Sequence, residues 1–215
     1  MSGVSISRIH FPVTTLGPGR RLGIWFQGCS IRCAGCISAD TWKSGLYATD
    51  TESLLANIRE WSLEADGLTV SGGEPFEQPE ALEVILRAWR RMSTSDVLVF
   101  TGYEFHEIEP WVRRCPGLID AVMVGPFVSG APQTKALRGS DNQSLHALTE
   151  LGRKFVQYER RSVAEDRRLD VMFDSDGSAW FAGIPAQHDF ARLQQALASA
   201  GHRISVSSDA AEKHD

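Results

Sequence analysis

Arg21-Leu22-Gly23-Ile24-Trp25-Phe26-Gln27-Gly28-Cys29-Ser30-Ile31-Arg32-Cys33-Ala34-Gly35-Cys36 decides the reading of this chain. Its first half is a short apolar run that reads as a β-strand. Its second half brings three of the four cysteines together in a C-x3-C-x2-C spacing. Three thiolates so close can hold three irons of a cubane [4Fe–4S] cluster and leave the fourth iron without a protein ligand. An open metal position is what separates a catalytic site from a closed structural one. Structural zinc is a competing reading, with Cys115, His10 or His106 as a further ligand, although zinc sites usually pair C-x2-C with a second, distant pair. An electron-carrying ferredoxin brings four cysteines per cluster, and Cys115 has no neighbour that marks it as the fourth. Disulfides fit least, because no secretory signal pattern precedes the run.

Working outward, three more apolar runs each end in turn residues. Gly67-Leu68-Thr69-Val70 runs into Ser71-Gly72-Gly73-Glu74-Pro75, Asp96 to Phe100 closes at Thr101-Gly102, and Asp120 to Val124 closes at Gly125-Pro126. Between them lie helical patterns. Thr49-x-x-Glu52 reads as a capping box opening a helix with Leu54, Leu55, Ile58 and Trp61 on one side. Pro79 suits the first turn of a helix whose Leu82, Ile85, Leu86 and Trp89 form a buried stripe. Continuous apolar strands separated by helices indicate parallel strands buried on both faces. In such α/β folds ligands sit at the C-terminal strand ends, where this chain carries its cysteines, Gly-Gly-Glu-Pro, Thr-Gly and Gly-Pro. The last third differs: Asp170 to Phe173, the turn Asp174-Ser175-Asp176-Gly177, and Ser178 to Phe181 signal a hairpin. A helix with Phe190, Leu193 and Leu197 follows, stopped by Gly201. The expected organisation is one domain over residues 1–206 with a polar tail at 207–215.

Lys+Arg 22 against Asp+Glu 27 gives a net charge of −5. That balance argues against a nucleic-acid partner. The basic stretch from Arg153-Lys154 to Arg167-Arg168 reads as a solvated face. No apolar run approaches the ~20 residues that span a bilayer, and reduced thiols fit a cytoplasmic location.

C-x3-C-x2-C, followed after the next strand by Gly72-Gly73-Glu74-Pro75, resembles the radical S-adenosylmethionine (SAM) enzymes. Within that superfamily the chain is similar to the activating enzymes of anaerobic (class III) ribonucleotide reductase, a branch that includes the pyruvate formate-lyase activators. The carrying stretches are Pro18-Gly19-Arg20, Phe26 to Cys29, Asp40-Thr41-Trp42, Thr69 to Pro75, Phe100 to Tyr103, Gly125-Pro126-Phe127, Arg138 to Gln143 and Gly183-Ile184-Pro185. The resemblance covers roughly residues 6–203.

The resemblance implies a partial (β/α)6 TIM-like barrel with a C-terminal hairpin and helix. It implies a [4Fe–4S] cluster on Cys29, Cys33 and Cys36, with SAM chelated at the open iron. Gly72 and Gly73 would let backbone approach the ligand closely, and Glu74 would meet the SAM ammonium in a charge-assisted contact. Backbone around Gly35, Cys36 and Ile37 would border the adenine. Ser140 and Asn142 would hold ribose or carboxylate oxygens, and Thr101 would join them; as bare sequence, Gly72-Gly73-Glu74-Pro75 reads as a plain strand-to-helix turn, and the Ser140 to Asn142 stretch equally as a polar turn.

Three departures stand out. Gly35 replaces the aromatic residue common in the wider superfamily, although it matches the reductase-activating branch. Ser38-Ala39 stands where the branch usually has Asn-Pro, and Val124 where it usually has an acid. The implied activity is reductive cleavage of SAM to a 5′-deoxyadenosyl radical that installs a glycyl radical on a partner such as anaerobic ribonucleotide reductase. The electron would come from a donor such as flavodoxin or ferredoxin. The alternatives are a tailoring enzyme acting on a peptide or small metabolite, and a non-catalytic iron–sulfur protein.

Overall fold

In the computed structural model, which describes residues 4–46, 48–173, 179–186 and 189–201, the opening apolar run is strand β2 (Arg21–Phe26), buried along its whole length. It pairs in parallel with β4 (Gly67–Gly72), which pairs with β5 (Asp96–Phe100) and then β6 (Ala121–Val124). Three further strands flank these four: β1 (Val4–Val13), β3 (Ala48–Thr49) and β7 (Ser144–Ala147). The seven-stranded order is β3-β1-β2-β4-β5-β6-β7, with antiparallel pairing at β1–β2, β1–β3 and β6–β7. The chain is therefore mixed α/β with a central parallel sheet.

Side-chain alternation along the strands sends neighbouring residues to opposite faces. Leu22, Ile24 and Phe26 of β2, Leu68 and Val70 of β4, Val97 and Val99 of β5, and Val122 and Val124 of β6 share one core. Against it pack α1 (Thr51–Trp61), α2 (Pro79–Met92) and α3 (Phe105–Arg114) through Leu54, Ile58, Leu82, Ile85, Leu86, Trp89, Ile108 and Trp111. Each fully buried side chain of this kind contributes about 1.5–3 kcal/mol. Val124, the residue in the position where an acid was expected, belongs to this core. Cys115 is buried there too, as a small apolar residue.

The opposite face carries Trp25, Leu98 and Ala121. Trp25 packs with Val13, Leu16, Met172 and Ala182, the last two from the hairpin β8 (Leu169–Phe173) and β9 (Ala179–Gly183). Thr14 donates its N–H (2.6 Å) and hydroxyl (2.7 Å) to Asp170, which fastens the hairpin to the end of β1. Leu98 and Ala121 pack on Leu137 and Phe155, the latter from the 3-10 stretch Leu151–Glu159. At the N-terminal end of the parallel strands, fully buried Arg21 donates to Asp96 Oδ1 (2.7 Å), Leu68 O (2.8 Å) and Thr69 Oγ1 (2.6 Å).

Two details differ from the sequence reading. α1 is capped by Asp50, whose carboxylate accepts from Ser53 N–H (2.9 Å), and not by a Thr49–Glu52 box. Asp has a side-chain acceptor one residue closer to the helix start, so it takes the capping place. The final helix, α4 (Asp189–Ser199), has no fully buried residue and touches β9 through Phe190 against Phe181 at 5.5 Å. No helix among the described residues is long and apolar enough to cross a membrane. The hairpin turn expected at 174–177, the lone histidine His188 and the tail 207–215 lie outside the described residues.

Candidate metal centre

The register of the parallel strands brings Phe26 beside Gly72, Val70 beside Val99, and Phe100 beside Met123. Their C-terminal ends form one rim, and hydrogen bonds tie it together. Gly73 N–H donates to Phe26 O (2.8 Å) and Glu74 N–H to Gly28 O (2.8 Å). Thr101 N–H reaches Met123 O (2.9 Å), and Gly125 N–H reaches Tyr103 O (2.9 Å). Asn142 Nδ2 donates to Pro126 O (2.8 Å), and Gln143 Nε2 to Gly125 O (3.0 Å).

The cysteine loop leaves β2 under firm control. Gly28 N–H bonds Thr41 O (2.7 Å) and Cys29 N–H bonds Trp42 O (3.1 Å), pinning the loop to the 3-10 turn Ala39–Thr41. Buried Gln27 donates to Lys43 O (2.8 Å), and Gln78 donates to Gln27 O (2.9 Å). Within the loop, Ser30 gives both its N–H (2.8 Å) and its hydroxyl (2.6 Å) to Glu77 Oε1. Burial pushes the Cys29 thiol up, partly offset by the N–H groups of Arg32 and Ile31 directed at its sulfur. Burial raises Cys36 as well, with the Ser38 N–H working against it.

Among the described residues no three His, Cys, Asp or Glu side chains converge to hold a single metal ion. A cubane cluster asks for something else, because each thiolate ligates its own iron. Three cysteines on one loop, two of them bearing N–H groups at sulfur, fit that donor set.

Gly-Gly-Glu-Pro packs directly on the cysteine loop. A Cβ on Gly73 would lie 2.1 Å from Gly28 O, so the close approach that needs glycine here is to the protein's own backbone. Glu74 is fully buried. Its Oε1 accepts from Phe76 N–H (2.9 Å) and Thr101 Oγ1 (2.8 Å), and Oε2 from Gly102 N–H (2.8 Å). Burial outweighs these donors and raises its pKa from 4.5 to about 7.

The expected site residues thus share the rim, though not all in the attitude expected. Gly35 lies against Phe127 and Ser129, Cys36 N–H bonds Cys33 O (3.0 Å), and Ile37 is exposed. Thr101 spends its hydroxyl on Glu74. Ser140 is fully buried, and its hydroxyl accepts from Val128 N–H (3.1 Å). Glu77 and Gln143 carry structural work that the sequence did not reveal. Gln143 Oε1 accepts from Gly139 (2.9 Å) and Ser140 (3.3 Å) N–H groups while its amide holds Gly125. Their partners are main-chain atoms and a serine hydroxyl, some of them distant in sequence, and no local pattern marks those.

Residues 15–146 match the family model described as a 4Fe-4S single cluster domain. Over 150 residues the chain is 30% identical to the anaerobic ribonucleoside-triphosphate reductase-activating protein of Vibrio cholerae, covering 65% of this chain and 96% of the relative. The protein of that name from Enterobacteria phage T4 is 31% identical over 140 residues, covering 62% and 88%. Its namesake from Escherichia coli K12 is 28% identical over 148 residues, covering 65% and 96%. The matched region contains the cysteine loop, the Gly-Gly-Glu-Pro turn and the Asn142–Gln143 brace, so the chain belongs to the family of anaerobic ribonucleoside-triphosphate reductase-activating proteins.

Proposed function

We propose that this chain installs a glycyl radical on a partner of the anaerobic ribonucleotide reductase type. In this reading Cys29, Cys33 and Cys36 hold a [4Fe–4S] cluster, and SAM binds at its open iron. Bound there, the two supply one-electron cleavage of SAM to methionine and a 5′-deoxyadenosyl radical able to remove a hydrogen atom from a glycine Cα. The rim carries the proposal: three thiols, the Gly-Gly-Glu-Pro turn, Thr101 and Asn142 stand together on hydrogen-bonded backbone.

The protein's own contribution is positioning. Thr41, Trp42 and Gln27 fix where the cysteine loop leaves β2, and Glu77 holds its middle. Glu74 braces Thr101 and Gly102 against the Gly-Gly turn, and main chain at Gly72 and Gly73 with the Gly35-Cys36-Ile37 segment would hold SAM. Asn142 is the exposed amide at the far side of the rim. Helices on one face of the sheet and the β8–β9 hairpin on the other support reading the sheet as a partial (β/α)6-type barrel. A flavodoxin- or ferredoxin-type protein is the proposed electron donor.

Anaerobic reconstitution followed by strong reductant tests the chemistry. The expected products are 5′-deoxyadenosine and methionine, formed slowly by the chain alone. An intact cluster that never cleaves SAM would refute the enzyme reading. Cleavage without radical transfer to any anaerobic reductase would favour a peptide or metabolite substrate instead.

A further inference from the structure

The chain continues past the matched family region, and residues 160–167 fold back on it. Ser162 N–H bonds Thr134 O (2.8 Å), Ala136 N–H bonds Arg160 O (3.2 Å), and Lys135 forms an isolated antiparallel bridge with Arg161. Where the two segments meet lies an open cleft of about 540 Å³, with Thr134, Arg161, Ser162 and Arg167 in its walls. Thr134 also fastens Asp141, the residue between Ser140 and Asn142, so the cleft borders the loop that carries the amide of the rim.

The sequence reads this basic stretch as a solvated face, and the structure divides its cations. Arg160 makes a two-pronged pair with Asp166 (2.7 and 2.9 Å), Lys154 pairs with Asp96, and Arg153 pairs with Glu150 (3.2 Å). Arg161 is different. It is exposed, and among the described residues its guanidinium makes no hydrogen bond or ion pair. Arg167 commits one nitrogen, to Gln133 O (3.1 Å). The carboxylates that act on Arg167 are Asp141, Asp166 and Asp189, and each has donors of its own. Asp141 accepts from Thr134 N–H (2.8 Å), Thr134 Oγ1 (2.7 Å) and Lys135 N–H (3.0 Å), Asp166 from Arg160, and Asp189 from Ala186 N–H (2.8 Å).

We propose that this cleft binds a small phosphorylated anion carrying two or more charges, held by the guanidinium groups of Arg161 and Arg167. Each guanidinium is a rigid fork that matches phosphate or carboxylate oxygens. Two forks in one cleft suit an anion of more than one charge. The Ser162 hydroxyl, which makes a long contact with Val163 O (3.4 Å), stands ready as a further donor. A phosphate group offers three strong acceptor oxygens to these three donors, where a carboxylate offers two. The volume suits a small ligand. Val163 and Ala164 supply the apolar part of the lining, and no aromatic side chain among the described residues joins it, so the charged group is what the cleft recognises.

The test titrates pyrophosphate into the full-length, anaerobically reconstituted chain by calorimetry. Salt is held at about 0.15 M, where attraction between separated surface charges is largely screened. Saturable binding at one site is expected. Arg161→Ala should weaken it about tenfold or more, as loss of a charge-assisted contact does, and Arg167→Ala should act likewise. Should Arg167→Ala fail to fold, Arg161→Ala decides alone, because its side chain holds no bond in the free protein. Arg153→Ala removes an equal charge from the same stretch and should leave binding unchanged. The proposal is overturned by absence of saturable binding, by equal isotherms for wild type and Arg161→Ala, or by an equal loss in Arg153→Ala. Citrate bound as tightly as pyrophosphate would overturn the assignment to phosphate.

Discussion

Burial of the Glu74 carboxylate under Thr101, Gly102 and Phe76 gives the rim a pH response of its own. Its folded pKa of about 7 stands above the 4.5 of the free side chain. A carboxyl raised in this way lends stability below pH 4.5, and that contribution is lost as pH climbs through 7. In metal-free protein, the stability of wild type relative to Glu74→Gln should fall by on the order of 3 kcal/mol between pH 4.5 and 8. Denaturant midpoints measured across that range check this, and parallel pH curves for the two proteins would contradict it. Glu77 acts differently, by accepting both donors of Ser30 inside the cysteine loop. Removing such a support typically costs metal affinity 10- to 100-fold. Glu77→Ala should therefore surrender iron to a chelator at correspondingly lower concentration, and retention equal to wild type would show that the tether is idle.

At the scale of elements, the contact between the β4 turn and the end of β2 is the tightest in the rim. A Cβ at Gly73 meets the Gly28 carbonyl at 2.1 Å, and backbone on both sides leaves no flexible group to yield. Gly73→Ala should destabilise the protein by at least about 1–3 kcal/mol, read as a lowered urea midpoint, and should disturb iron loading as well. An unchanged midpoint would mean that the two turns separate easily. This contact also marks the limit of what was legible. The strands β2, β4, β5 and β6 could be read because each is an uninterrupted apolar run, and the stripe of α2 because all four expected residues are fully buried. The strands β1, β3 and β7 could not. β3 has two residues, and β7 has no fully buried side chain; both are held by backbone pairing to a neighbour. The cysteines announced themselves by spacing, and the Gly-Gly pair by its place after a strand. What those glycines approach, and the bracing by Glu77 and Gln143, depend on distant residues that only folding brings near.

Across the whole molecule, the family match ends at residue 146, within β7, and the β8–β9 hairpin and α4 lie beyond it. The hairpin covers the sheet face opposite the helices, with Trp180 set edge-on against Trp25 (5.1 Å) and His10 (5.4 Å). The strand ends that carry the cysteines, Glu74 and Asn142 form one edge of this sandwich, and the buried Arg21–Asp96 pair holds the other. One experiment decides whether that rim acts on a protein substrate. Reduced, reconstituted chain is mixed with SAM and an anaerobic ribonucleotide reductase, and the sample is frozen for electron paramagnetic resonance. A glycyl-radical doublet is expected on the reductase, lost with Cys29→Ala, Cys33→Ala or Cys36→Ala and kept with Cys115→Ala. No doublet from any such reductase, despite an intact cluster and cleaved SAM, would contradict it.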